Sequence, residues 1–197
     1  MDGRDKPHHD GGGGAADCGF PTVMSFDQPV LPDVLRPGLR IVFCGTQAGA
    51  VSARRGAYYA GPGNKFWKTL HEVGLISERL GPMDFRDLPR YGIGLTDVAK
   101  ATSGPDAALL RSHFDVEGFM SKIRAHAPAI VAFNGKRAAQ AALGFSGPAM
   151  SYGLQTAKIA ETAAFILPST SGAAAGFWSI EPWRELASVA GTIGAAA

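Results

Sequence analysis

Apolar residues fall into four short runs separated by amphipathic stretches, and that alternation sets the expected fold. The runs cover residues 39–45, 92–98, 129–134 and 164–168. Each is short and almost uniformly apolar, as a strand buried on both faces of a sheet must be. Between the runs the period changes. Phe66, Trp67, Leu70 and Val73 recur at helical spacing over 64–73. Val116, Phe119, Met120 and Ile123 share one face of 115–127, with Asp115 placed to cap it. Lys136–Leu143 and 182–190 complete the helices. Strands alternating with helices predict an α/β domain of three αβα layers. Its centre is a mostly parallel, four-stranded sheet with right-handed crossovers. Residues 155–159 form a further candidate strand ahead of the fourth.

Residues 1–30 lack this pattern. They hold Gly11-Gly12-Gly13-Gly14 with scattered Pro and Asp, and read as a disordered extension before a folded domain over 31–197. A hydrophobic share of 46% against 18% charged residues is enough to build that domain's core. No apolar run reaches the length of a membrane span, and Met1-Asp2-Gly3-Arg4-Asp5 offers no signal-peptide core. The expectation is a cytoplasmic monomer with no membrane partner. A net charge of +2 leaves nucleic acid open, because a few Lys and Arg on one face suffice. The two cysteines cannot make a disulfide framework, and Cys44, closing an apolar run, reads as a buried thiol. No Cys/His spacing fits a metal site, so neither a metal nor an organic cofactor is expected.

Two strand exits carry the candidate chemistry. Phe43-Cys44-Gly45-Thr46-Gln47-Ala48-Gly49 leaves the first strand through a glycine-bracketed turn. Phe165-Ile166-Leu167-Pro168-Ser169-Thr170-Ser171-Gly172 leaves the last one in similar fashion. Such exits converge at the carboxyl edge of a parallel sheet, where open α/β folds place their sites. A phosphate loop for nucleotides is disfavoured, since the first segment has neither a Gly-Lys-Ser/Thr ending nor a GxGxxG pattern.

Phe43-Cys44-Gly45-x-x-x-Gly49, Pro62-x-Asn64-Lys65-Phe66-Trp67 and Leu167-Pro168-x-x-Ser171-Gly172 together resemble the mismatch-specific uracil and thymine DNA glycosylases of the uracil-DNA glycosylase superfamily. The resemblance runs from about Leu35 to the helix holding Trp183. It implies a glycosylase that hydrolyses the N-glycosidic bond of uracil in DNA and leaves an abasic site, and the lack of a motif placing a Lys amine as nucleophile makes it monofunctional. The implied partner is DNA containing uracil or an abasic site. Uracil, mispaired thymine and hypoxanthine all stay open as the base. The alternative is a weak or inactive module that binds uracil-containing, abasic or single-stranded DNA.

Carried over residue by residue, the resemblance puts Gln47, where the family usually has Asn, beneath the sugar to orient a water. Gly45 and Thr46 line the substrate, and Tyr59 forms an aromatic floor that crowds the pyrimidine C5. Asn64 belongs to the scaffolding and is placed to cap a helix. Asp97 ends the second strand, where related enzymes use an amide to read the base. A carboxyl group reads uracil directly only when protonated or through a water, and its other reading is a turn cap. Asn134 is a second reader or a cap for the helix from Lys136. Ser169, which replaces a usual Asn, joins Thr170, Ser171 and Gly172 in a loop suited to pinching phosphates. Ser52, Arg54, Arg55, Lys65 and Lys136 are further DNA contacts expected near that edge, with Lys68 and Arg137 beside them. Histidine is missing after Pro168, which leaves backbone N–H groups to steady the departing base. Ala173, Ala174 and Ala175 are too small to fill the gap left by a flipped nucleotide, so little reading of the opposite base is expected.

Overall fold

A computed structural model describes residues 28–144 and 150–195 of the chain. The four apolar runs become strands β1 (Ile41–Gly45), β2 (Ile93–Asp97), β3 (Ile130–Asn134) and β5 (Thr162–Leu167). A fifth strand, β4 (Gly153–Ile159), precedes the last of them. The sheet order is β2-β1-β3-β5-β4, parallel except for β4, which runs antiparallel to β5. The expected four-stranded, mostly parallel sheet is therefore a mixed sheet of five.

The physical reason lies in the edge position of β4. Between its buried ends its residues alternate between exposed and half-buried, so Gly-Leu-Gln-Thr-Ala-Lys-Ile lacks the uniform apolar run of a central strand. Ile159 pairs with Thr162 across the Ala160-Glu161 turn, and Ala160 takes a positive φ of 52° to close it. The expected extension over 1–30 falls almost entirely outside the described residues. Val30 lies inside them, and its N–H already bonds the Lys100 carbonyl at 2.8 Å. Val34 and Leu95 exchange backbone hydrogen bonds of 2.9 and 3.0 Å, which covers the free edge of β2.

Every residue of β1, β2 and β3 is buried, so alternate side chains build two cores. Ile41 and Phe43 enter a layer with Phe66, Leu70, Trp183 and Leu186. Val42 and Cys44 enter the opposite layer with Phe119, Ile123, Phe133 and Ile166. The first layer is roofed by α2 (Phe66–Glu72) and α5 (Glu181–Ala195), the second by α3 (Val116–His126) and α4 (Lys136–Leu143). Between β1 and α2 lies a short helix, α1 (Ala50–Arg55), and a 3-10 segment over Pro82–Tyr91 leads into β2. Neither shows a clear apolar period in sequence. Asp115 caps α3 as expected, accepting from Gly118 N–H at 2.9 Å. Phe43 anchors the site end of the sheet: its ring stacks on Trp183 at 5.5 Å and meets Phe66 edge-on at 5.2 Å. No helix among the described residues is long and apolar enough to cross a membrane.

Candidate active site at the carboxyl edge of the sheet

The loop leaving β1 is fastened to the chain leaving β2. Val98 and Ala99 donate to the carbonyls of Gly45 and Thr46 at 3.1 and 2.8 Å, and Gly104 donates to Ala48 at 2.9 Å. Gln47 completes this seam. Its Nε2 donates to the carbonyls of Gly104 and Pro105, both at 3.2 Å. These two bonds orient the amide, so its oxygen is the end left to accept from a water or ligand.

Asp97 ends β2 within the same seam and is only 4% exposed. Its carboxylate caps no turn among the described residues. Instead Oδ1 fills the space beside the Cα of Gly45, where any β-carbon would collide with it. Burial pushes this carboxyl up to about 6, against the pull of Lys100; Asp33 and Asp106 raise it further, and Lys122 lowers it. Near neutral pH the group can therefore exchange a proton.

Tyr59 points its hydroxyl at the same spot, about 3.5 Å from where a Gly45 β-carbon would stand. The residue as a whole is half-buried, but the hydroxyl is fully buried and has no hydrogen-bond partner among the described residues. One face of the ring stacks on Phe66 at 3.9 Å, and the backbone sits at φ 55°, which only a strongly determined surrounding holds for a tyrosine. Burial also drives the phenol well above its ordinary value, so it stays a neutral donor.

Asn134 closes the far side. Its Nδ2 donates to Thr170 Oγ1 at 2.8 Å, and its Oδ1 accepts from Thr170 N–H at 3.0 Å. The helix-cap reading of Asn134 is overturned, since the N-cap of α4 is Gly135 and no side chain caps the helix. The Asn134 amide faces the Tyr59 hydroxyl without a hydrogen bond of normal geometry. Thr170, expected on a phosphate, is fully buried in this clamp. Its carbonyl accepts from Lys65 N–H at 2.9 Å, and Gly172 lies against the Pro62 and Gly63 backbone. Asn64 accepts from Phe66 N–H at 3.0 Å and so steadies the entry to α2, but the N-cap position itself is Lys65, one residue later than the cap reading expects.

The remaining positions divide. Ser171 and Gly172 are exposed and Ser169 half-exposed on the loop after β5. Arg54 and Arg55 are exposed in the last turn of α1. Lys65 extends its ammonium over Trp178 at 5.1 Å, and Lys136 does so over Tyr152 at 4.7 Å. Ser52 does not reach the surface. It is buried, and its hydroxyl accepts from Ala60 N–H at 3.0 Å, which holds the Tyr59 loop onto α1. Cys44 is a buried free thiol, as expected. No group of three or more His, Cys, Asp or Glu among the described residues is placed to hold a metal.

The sequence reading missed three participants. Asp33 accepts from Thr96 at 2.7 Å and pairs with Lys100 at 2.9 Å and Lys122 at 2.8 Å, behind the Asp97 strand end. Lys100 also donates to the Tyr58 hydroxyl at 2.9 Å. Asp33 precedes the first strand, and no local signal ties it to β2. Phe177 stands 79% exposed two residues beyond the alanine run, at the end of the 3-10 segment Gly172–Phe177.

A family model for the uracil DNA glycosylase superfamily matches residues 32–187. Among solved structures, the chain is similar to the solution NMR structure of "a putative Uracil DNA glycosylase from Methanosarcina acetivorans". The likeness covers 83% of this chain and 96% of that one, at 22% identity and a TM-score of 0.54. At that identity the likeness speaks for the fold. The family match spans most of the domain and takes in Gly45, Gln47, Tyr59, Asp97, Asn134 and Thr170: the chain belongs to the uracil DNA glycosylase superfamily.

Proposed function

We propose that the protein is a monofunctional DNA glycosylase, of the mismatch-specific uracil and thymine branch, that releases uracil from DNA and acts as a monomer. The observation that carries this reading is the Asp97 carboxyl, 4% exposed and set against Gly45 beside an unpartnered Tyr59 hydroxyl. Nothing in the fold's own stability calls for two such groups together, since each costs free energy when buried alone.

In the proposed reaction the extruded nucleotide enters this notch. Ionised Asp97 takes the proton of a water that the Gln47 amide oxygen holds. The water oxygen bonds to the sugar C1′, the N-glycosidic bond breaks, and its electron pair leaves on the base. The Tyr59 hydroxyl donates to a base carbonyl, so negative charge develops against a fixed donor rather than bulk water. Lys100, the amine behind the strand end, is committed to Asp33 and Tyr58, which argues for water over an amine as the nucleophile. No step calls for a metal or an organic cofactor.

The deciding experiment is a labelled oligonucleotide carrying one uracil, incubated with the protein and then cleaved in alkali. Scission at the uracil is expected. A second reading, a binding module with lost catalysis, is favoured by the commitment of Gln47 Nε2 to two carbonyls. Tight binding with no alkali-labile site across the pH range would select it.

A further inference from the structure

A cavity of about 340 Å³ opens between the start of α3 and the outer face of α4, outside the notch described above. Arg111 and Arg137 form its polar side with Gln140, and Phe114, Val116 and Ala141 form an apolar wall. Both helices begin at the carboxyl edge of the sheet. Asp115 N–H bonds the Val98 carbonyl at 3.1 Å, and Gly135 N–H bonds that of Leu167 at 3.1 Å. Arg137 spends one N–H on the Leu109 carbonyl at 3.0 Å, which fixes the guanidinium and leaves its other donors free. Asp106 is the acid that faces Arg137, and it also turns to Thr46 in the loop after β1. Asp106 thus stands between Arg137 on the cavity and Thr46 in the loop that borders the notch.

We propose that this cavity holds a nucleotide of the substrate strand flanking the excised one. Its phosphate lies between Arg111 and Arg137, and its base or sugar lies against Phe114. Two guanidiniums fit a phosphodiester by their forked donors, and an aromatic beside them suits a base face of any sequence. The volume is at the lower end of pockets that take small ligands, enough for one nucleotide and not for a duplex. The inference rests on DNA being the substrate but not on catalysis.

Binding separates the two. Fluorescence anisotropy with single strands that carry a central, uncleavable abasic analogue is read as nucleotides are added on one side at a time. For the parent, one added nucleotide on one side should raise affinity several-fold. Arg111→Ala should abolish that gain and lower the salt slope by about 0.7, the value of one phosphate on a single strand. Gln140→Glu, which leaves the Arg137 tether in place, should abolish it too. A gain that survives both substitutions overturns the proposal. So does a free nucleoside monophosphate that binds through Arg111 without any dependence on strand length. Absence of uracil release would leave these binding results standing and would count against the catalytic reading alone.

Discussion

The carboxylate of Asp97 occupies the place that a β-carbon of Gly45 would take, closer than 3.0 Å, a separation that real Cβ atoms essentially never show. Gly45 is thus required by the side chain across from it on the paired strand, with which it is in register.

Gly45→Ala should therefore displace the carboxylate while the buried strand pairing survives. Uracil release is expected to fall by about 100-fold, the usual cost of misplacing a reacting group by roughly 1 Å. Single-turnover rates alongside circular dichroism check this. An active, folded variant would move Asp97 out of the chemistry.

Asp97 also ties activity to pH. Its folded value of about 6 lies above the ordinary 3.8, so the native state holds the proton more tightly than the unfolded chain. Its contribution to stability is full below about pH 4 and is lost as pH rises through about 6, on the order of 3 kcal/mol by neutrality. Uracil release should run the other way, rising through about pH 6 to a plateau as the base ionises. Asp97→Asn should flatten the rate profile at a low level and raise the melting temperature at neutral pH. A melting temperature that follows the parent across this range would contradict the buried ionisation.

Tyr59→Phe tests the orphaned hydroxyl. Removing a buried, unpartnered polar atom should stabilise the free protein by about 1 kcal/mol, because nothing is left unpaired. The same change should slow uracil release by about 10-fold or more through loss of one donor to the base. Thermal melts and single-turnover rates on one preparation read both. Lower stability in the variant would mean the hydroxyl has a partner in the free protein.

The sheet was legible because buried parallel strands must be apolar throughout, as Ile41–Gly45 and Ile130–Asn134 are. The glycine-bracketed exit with Gln47 and the strand end with Asp97 were legible for the same reason, since topology brings such ends together. What the sequence hid depended on partners far along the chain. Ser52 and Thr170 look like surface hydroxyls until Ala60 and Asn134 claim them. Asp33 looks like a linker residue until Lys100 and Lys122 close on it. Tyr59 was readable as an aromatic on a glycine-flanked loop, but its left-handed backbone and lone hydroxyl follow only from the packed loop.

The alanine run predicts a poor wedge, yet Phe177 changes that expectation. The residue stands 79% exposed beside Trp178, whose ring lies under Lys65 on the loop that faces Gly172. An apolar ring held at this lip can enter the stack that a flipped nucleotide vacates and offset part of the few kcal/mol that unpairing costs. Phe177→Ala should then slow release from U:A pairs by about 10-fold or more, release from U:G pairs by less, and release from single strands hardly at all. Its melting temperature should match the parent, since the ring buries little surface. Equal losses on single strands and on U:A would show that Phe177 contacts DNA without opening it. The volume that holds the duplex apart would then lie elsewhere on this edge, with Arg54 and Arg55 at the end of α1 the next residues to replace.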